Sequence, residues 1–299
     1  MRTLDRSHRA TWLERAPPWA WCMLGAWLVS VLYLVAVGKA DNVAIWSFIG
    51  AYQLLLAGII VRLTHPMPED APSLVPTTTP VTIWSQLGVI GAFIALTGFV
   101  RTLPVWSNMT AALSALGERL LPAEIVGGPG NAIANPVQYF ALPFVLLLVL
   151  GARPAELGLG RGHRVLRTCL AWIAAPAIFW IVLLASGQLT VMRLLRAVVG
   201  NALQNGFFEE FLFRGALQTR LNKLVQPGWA LVIQALAFGV WHFNANAGVA
   251  PGDPFAALAA CVVSQAVSGL AYGIVFLRTR NLVAPSVAHV VMNAVGRTL

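Results

Sequence analysis

Apolar segments of about 20 residues recur along the chain, and each can cross about 30 Å of hydrocarbon as a helix. Hydrophobic residues make up 58% of the 299 residues and charged residues only 10%, which is far from the composition of a soluble domain. We predict membrane spans at residues 18–38, 42–62, 82–100, 132–151, 168–186, 195–218, 229–247, 255–277 and 281–297. The predicted fold is an all-α polytopic membrane helical bundle with eight or nine transmembrane helices, because only a short turn separates the last two spans.

The positive charges indicate the topology of these spans. The net charge is +9, and its basic residues cluster before the first span and after the fourth, sixth and eighth: Arg2, Arg6, Arg9 and Arg15; Arg153, Arg161, Arg164 and Arg167; Arg220 and Lys223; Arg278 and Arg280. Arg193 and Arg196 go against this alternation. Positive charge accumulates on the cytoplasmic side of membrane proteins, so we predict a cytoplasmic N-terminus and lipid headgroups, not nucleic acid, as the partner of these residues.

The use of arginine in preference to lysine, 18 against 2, favours a GC-rich bacterial source. We therefore predict an integral protein of the bacterial cytoplasmic (inner) membrane. The three cysteines all fall within predicted spans, so a disulfide framework is not expected.

The polar residues divide the chain into two regions. Residues 1–150 form an N-terminal transmembrane region without intramembrane charge and without an assigned role, whereas residues 168–299 hold every charge predicted to lie in the membrane. Between the third and fourth spans, residues 109–121 have apolar positions spaced for one helical face, which predicts an amphipathic helix in the membrane interface. A lateral substrate gate is a further hypothesis for that helix.

Five ionisable side chains fall well inside the predicted spans, and each costs roughly 2.5 to 3.5 kcal/mol near the bilayer centre. They are Glu209, Glu210, Arg214, His242 and His289. Positions four apart share a helical face, so Glu210 and Arg214 are predicted to pair. Glu209 points to a different face together with Asn205. An unpaired carboxylate facing an internal cavity is suited to handling protons.

The depths of these residues in the membrane agree with one another. From the rise of about 1.5 Å per residue, His242 lies roughly 20 Å deep, Glu209 roughly 16 Å, and His289 with Asn293 roughly 12 to 18 Å. A lone intramembrane histidine is more often a packing residue. Two histidines at matched depth with a glutamate and an asparagine instead predict a single cavity.

Several known site architectures are excluded, and two others stay open. The chain has no His-Glu-x-x-His sequence, and no aspartate lies inside a predicted span, which argues against zincin-type and presenilin-like proteases. A rhomboid-like serine protease would use Ser268 with His289, and a proton-coupled transporter would use the buried glutamate and histidines. Gly269-x-x-x-Gly273 is typical of a close-packing helix face.

Three motifs occur in order, each in a separate span. They are Glu209-Glu210-x-x-x-Arg214, Phe238-x-x-x-His242 and His289-x-x-x-Asn293. Together they resemble the motifs of the CAAX protease and bacteriocin-processing family of intramembrane endopeptidases, over roughly residues 200–297. In the first motif the resemblance gives Glu210 and Arg214 a supporting role in the fold of the site.

The resemblance implies peptide-bond hydrolysis inside the helical bundle. Glu209 would be the general base that activates water, assisted by His242. His289 and Asn293 would polarise the scissile carbonyl and stabilise the oxyanion. The expected function is maturation or C-terminal processing of a membrane-associated peptide or protein, cut near the bilayer midplane or the cytoplasmic face. A non-catalytic scaffold or immunity protein is a further alternative.

The metal dependence of such a site is open at this point. Glu209, His242 and His289 would be a plausible zinc set, and members of the resembled family have been described as metalloproteases. The preferred interpretation is a metal-free glutamic mechanism that requires no cofactor. A prenylated substrate, as processed by eukaryotic members, is not expected in a bacterial source.

Overall fold

The computed structural model describes residues 17–67, 76, 79–100 and 102–298, and in these residues the secondary structure is helical, without strands. The main helices are α1 (Pro18–Ala36), α2 (Ala40–Leu63), α3 (Pro80–Gly98), α4 (Pro104–Leu120), α5 (Pro129–Val149), α6 (Val165–Ala185), α7 (residues 191–224), α8 (Pro227–Trp241), α9 (Pro254–Thr279) and α10 (Val283–Thr298). The prediction of an all-α polytopic bundle is confirmed. Arg2, Arg6, Arg9 and Arg15 lie outside the described residues, as do Asp5 and Asp70.

Each of the nine predicted spans corresponds to a helical segment, but the segments are not equally suited to cross a membrane. In the described residues, α1, α2, α3, α5, α6 and α9 are long and apolar enough, and α8 is a shorter apolar helix. The polar residues of the motifs lower the hydropathy of α7 and α10. The count of eight or nine spans therefore stays a prediction.

One end of the bundle, which we call the basic end, joins the turns near residues 64, 163 and 278. His163 Nε2 donates to the Thr64 carbonyl oxygen at 3.1 Å, and Arg278 Nε donates to Thr64 Oγ1 at 2.9 Å. The α7–α8 turn lies at the same end, where α1 begins, since Gly228 packs on Trp19. The basic residues that follow the fourth, sixth and eighth predicted spans are therefore brought together.

The other end of the bundle, which we call the opposite end, holds the α1–α2 turn, the start of α9 and the end of α10. Tyr33 Oη donates to Asp253 Oδ2 at 2.9 Å, which ties α1 to the residue that caps α9. Arg193 Nη2 donates to the backbone oxygen of Arg297 at 3.2 Å. Helices α2, α9 and α10 thus all run between the two ends.

Helix α7 is irregular around its two glutamates. One α-helical turn, Phe207–Glu210, lies between the π-helical segments Ala202–Gly206 and Phe211–Gln218. Gly206 packs so closely on Val290 of α10 that a Cβ atom would collide with that side chain. π-Helical turns are rare in proteins, and those that occur are often found at functional sites. In this protein they flank the glutamate-bearing turn, which packs directly against α10.

Arg220 corrects one of the sequence predictions. We expected it to lie at the membrane surface as a topology signal, but its side chain is fully buried. Its Nε atom donates to Gln86 Oε1 of α3 at 2.9 Å, and its Nη1 atom donates to the Glu156 carbonyl oxygen at 3.3 Å. A planar guanidinium with several donors can be satisfied by buried oxygen atoms, so it turns inward at the basic end.

Two smaller predictions concern helix packing. The Gly269-x-x-x-Gly273 face packs closely on α8, since a Cβ atom at Gly269 would lie 3.2 Å from the Ala235 backbone and one at Gly273 would lie 2.5 Å from Leu231 Cδ1. The close-packing interpretation is confirmed. The predicted amphipathic helix is part of α4, with Leu120 exposed. Its interfacial position and gating role stay predictions.

Candidate active site

A cavity of about 510 Å³ lies between α2, α7, α8, α9 and α10. It is lined by all four residues predicted to be catalytic, which are Glu209, His242, His289 and Asn293. Other polar residues that line it are Gln53, Asn205, Ser264, Gln265, Ser268 and Tyr272. Three helices from distant parts of the sequence thus bring the motif residues to one place. Helix α2 supplies a further wall from the N-terminal region, for which the sequence indicated no role.

Glu209 lies between the two histidine rings. Its Oε2 atom is 3.8 Å from His242 Nε2 and 3.8 Å from His289 Nε2. In the structure this oxygen is buried and accepts no hydrogen bond. A buried carboxylate oxygen needs a polar partner, and the separation from both nitrogen atoms suits a water molecule held between them.

Hydrogen bonds at the far side of each ring fix how the histidines face Glu209. His242 Nδ1 is 2.8 Å from the Phe238 carbonyl oxygen, which only accepts, so this nitrogen carries a hydrogen. His289 Nδ1 is 2.8 Å from Glu210 Oε1, and a carboxylate likewise accepts. When the rings are neutral, both Nε2 atoms therefore present a lone pair toward Glu209.

Glu210 connects the cavity to a buried ion pair. Its Oε1 atom accepts from Arg214 Nη1 at 3.0 Å, and both side chains are fully buried. The predicted i,i+4 pair is present. Arg214 also donates to the Gly269 carbonyl oxygen at 3.1 Å and lies over the Phe238 ring at 4.4 Å. The sequence did not indicate that the same Glu210 oxygen would also hold His289.

A second contact to His289 comes from α9 and α2. The Tyr272 ring stacks on the His289 ring, with centroids 5.1 Å apart and an interplanar angle of 18°. Gln53 Nε2 donates to Tyr272 Oη at 3.3 Å, and both residues are buried. The sequence analysis did not indicate this contact.

Asn205 presents an amide donor to the cavity. Asn135 Nδ2 donates to the Gln204 carbonyl oxygen at 3.0 Å and to Asn205 Oδ1 at 3.3 Å. Because the carbonyl oxygen can only accept, the Asn135 amide is fixed as the donor. Asn205 must then use its oxygen in this contact, which leaves its NH₂ group for the cavity.

Gln265 is oriented by the same logic on the other side of the cavity. Asn246 Nδ2 donates to the His242 carbonyl oxygen and to Gln265 Oε1, both at 3.1 Å. The Gln265 oxygen is therefore occupied, and its NH₂ group remains for the cavity. Two amide donors, neither of them in the three motifs, can thus bind carbonyl oxygens beside Glu209.

Glu209, His242 and His289 are the cavity residues that could bind a zinc ion. In the parts of the chain that the structure describes, no group of three or more His, Cys, Asp and Glu side chains is placed to hold a metal ion. Ligand atoms lie about 2.0–2.2 Å from a zinc ion, which places two ligands of one ion roughly 3.3–3.6 Å apart. Glu209 Oε2 is 3.8 Å from each imidazole Nε2, and a carboxylate such as Glu210 on the second ring nitrogen is also found at zinc-bound histidines. The metal dependence of the site therefore stays a prediction.

The serine-protease alternative finds no support in the hydrogen bonds. Ser268 lines the cavity, but its hydroxyl donates to the Ser264 carbonyl oxygen at 3.2 Å. The two ring nitrogen atoms of His289 face Glu209 and Glu210. A nucleophilic serine would need a hydrogen bond to its base, and this imidazole is directed elsewhere.

Comparison with known proteins agrees with this geometry. A family model described as type II CAAX prenyl endopeptidase Rce1-like matches residues 191–295, which contain all three motifs. No curated protein and no solved structure matches the chain significantly. The matched region includes Glu209, His242, His289 and Asn293, which line the cavity. Residues 191–295 therefore form an Rce1-like domain, which supports the resemblance of this part of the chain to the CAAX protease and bacteriocin-processing family.

Proposed function

We propose that the protein hydrolyses a peptide bond of a membrane-associated peptide or protein, with water activated by Glu209 and the two histidines. The Rce1-like match over residues 191–295 implies a CAAX-type intramembrane endopeptidase. The observation that carries the proposed mechanism is the position of Glu209 Oε2, 3.8 Å from both imidazole Nε2 atoms in a cavity inside an apolar bundle. No observation favours the transporter or the non-catalytic alternative.

In the first step, Glu209 acts as the general base. The carboxylate takes a proton from a water molecule while the water oxygen forms a bond to the scissile carbonyl carbon, and the carbonyl electron pair moves to its oxygen. His242 Nε2 accepts the second hydrogen of the same water and orients it. In the second step, Glu209 returns its proton to the leaving amine nitrogen as the carbon–nitrogen bond breaks.

The negative charge on the carbonyl oxygen requires donors, for which we propose His289 and Asn293. His289 can donate from Nε2 only when its ring is protonated, because Nδ1 already donates to Glu210. The Glu210 carboxylate lies at the correct distance to stabilise that imidazolium. The Asn293 amide lines the same cavity. Donors fixed around a developing oxyanion are worth about 10²–10³ in rate each.

Comparison of protein termini in cells tests this function. Membrane proteins from bacterial cells that express either the wild type or Glu209→Ala are compared by mass spectrometry of their N- and C-termini. At least one terminus should shift to the unprocessed position in the variant. Ser268→Ala serves as the control and should leave the wild-type termini in place. Unchanged termini in Glu209→Ala cells would contradict proteolysis.

Removal of metal ions tests the preferred mechanism. Because Glu209 and His242 can activate water without a metal in the arrangement described above, purified enzyme should keep its activity after dialysis against a chelator. Elemental analysis of the active fraction should find no stoichiometric zinc. Loss of activity on chelation, with recovery on addition of zinc, would establish the metalloprotease alternative.

A further inference from the structure

The catalytic cavity is closed around His289 and Tyr272 and opens toward one end of the bundle. Along α10, His289 is 3% exposed, Asn293 is partly exposed and Arg297 is exposed. Along α9 the exposure rises from Tyr272, which is 2% exposed, to the partly exposed Ser268. All of these residues line the cavity.

The open side is the opposite end, as defined above. The exposed Arg297 lies where α10 finishes, and Arg193 holds its backbone there. On α9, exposure rises from Tyr272 to Ser268, toward the start of the helix, which Asp253 caps at the same end. Toward the basic end, the fully buried Glu210–Arg214 pair follows Glu209 directly along α7 and closes that side of the cavity.

Charge distinguishes the two ends. The turns at the basic end carry the arginines and lysine that follow the fourth, sixth and eighth predicted spans, with Glu156 as the acidic residue among them. At the opposite end, Asp41, Glu118, Glu124 and Asp253 offset most of the positive charge. Short loops rich in arginine and lysine stay in the cytoplasm, so the basic end is assigned to the cytoplasmic side.

We propose that the catalytic cavity opens to the non-cytoplasmic side of the membrane. The substrate, in an inference that rests on the proposed function, is a peptide segment exposed on that side: part of an exported or membrane-anchored protein. This differs from the sequence-based expectation of cleavage at the midplane or cytoplasmic face. The Asn205 and Gln265 amides lie on the side of Glu209 that faces the opposite end of the bundle. They are placed to bind the backbone carbonyl groups of a peptide segment that enters the cavity from that end.

Cysteine labelling in intact bacterial cells tests the access side without a known substrate. Three variants are exposed to a small, membrane-impermeant methanethiosulfonate: Ser268→Cys inside the cavity, Arg297→Cys at its rim and Lys223→Cys at the basic end. The cysteines introduced at positions 268 and 297 should be labelled in intact cells, and the cysteine at position 223 only after the membrane is permeabilised. The wild type is the control, because Cys169 and Cys261 are buried and Cys22 lies in an apolar helix.

The labelling results test the access side separately from the proposed proteolysis. Labelling of Lys223→Cys in intact cells, or protection of Ser268→Cys until permeabilisation, would overturn it while leaving proteolysis possible. If the cavity is labelled from outside but termini do not change in Glu209→Ala cells, the access side stands and the protease assignment fails. Where both hold, the shifted termini should lie in non-cytoplasmic segments.

Discussion

Glu209→Gln is expected to lower kcat/KM for peptide hydrolysis by about 10²–10⁴-fold, the usual contribution of a positioned general base. Glutamine has nearly the same shape but cannot accept a proton from water at neutral pH. Glu209 is not part of the Glu210–Arg214 ion pair, so the variant should fold normally. The measurement is hydrolysis, by the purified protein, of a peptide that spans a cleavage site found in the comparison of termini.

The matched control for this variant is Gln265→Glu, which adds a carboxylate to the same cavity. If any acid in the cavity sufficed, Glu209→Gln combined with Gln265→Glu would recover activity. We expect no recovery, because the Glu209 oxygen lies 3.8 Å from both imidazole Nε2 atoms and a carboxylate at position 265 starts from a different helix. Wild-type rates in Glu209→Gln, with an unchanged thermal unfolding midpoint, would exclude Glu209 as the base.

Arg214→Met is expected to destabilise the protein by about 3–5 kcal/mol, because removing one partner of a buried ion pair leaves the other charge unpaired. Arg214 also donates to Gly269 and packs on Phe238, so the loss should not fall below this range. The free energy of unfolding can be measured in detergent micelles by denaturant titration.

The double variant Glu210→Leu with Arg214→Met separates stability from catalysis. Replacing both partners of a buried pair by apolar residues is often neutral or stabilising, so stability should recover relative to Arg214→Met alone. Activity should not recover, because His289 loses the carboxylate that holds its Nδ1 atom. A stable and fully active double variant would show that Glu210 does not orient His289.

Much of the fold and part of the site could be predicted from local patterns. Apolar length gave the nine helical segments, and helical periodicity gave the Glu210–Arg214 pair, since both patterns depend on one helix alone. The depths estimated for Glu209, His242 and His289 were sufficient to predict that they line one cavity. Their assigned roles stay proposals until activity is measured.

The contacts that were missed depend on how separate helices pack. Periodicity shows that Glu210 faces Arg214, but not that α10 places His289 against the same oxygen. The π-helical segments of α7 change the direction in which its side chains point, and they occur where Gly206 packs closely on Val290. The sequence prediction placed Arg220 at the membrane surface, because its buried acceptor, Gln86, is 134 positions away in the sequence and could not be identified from local patterns.

The wall supplied by α2 bears on what counts as the smallest working enzyme. Residues 191–295 contain every motif. Tyr272 nevertheless receives a hydrogen bond from Gln53, which lies 138 positions before that region in the sequence. A fragment cut to the motif-bearing region would leave the stacked Tyr272 and His289 facing acyl chains. Any transplant of this chemistry into a shorter scaffold must therefore bring a substitute for α2.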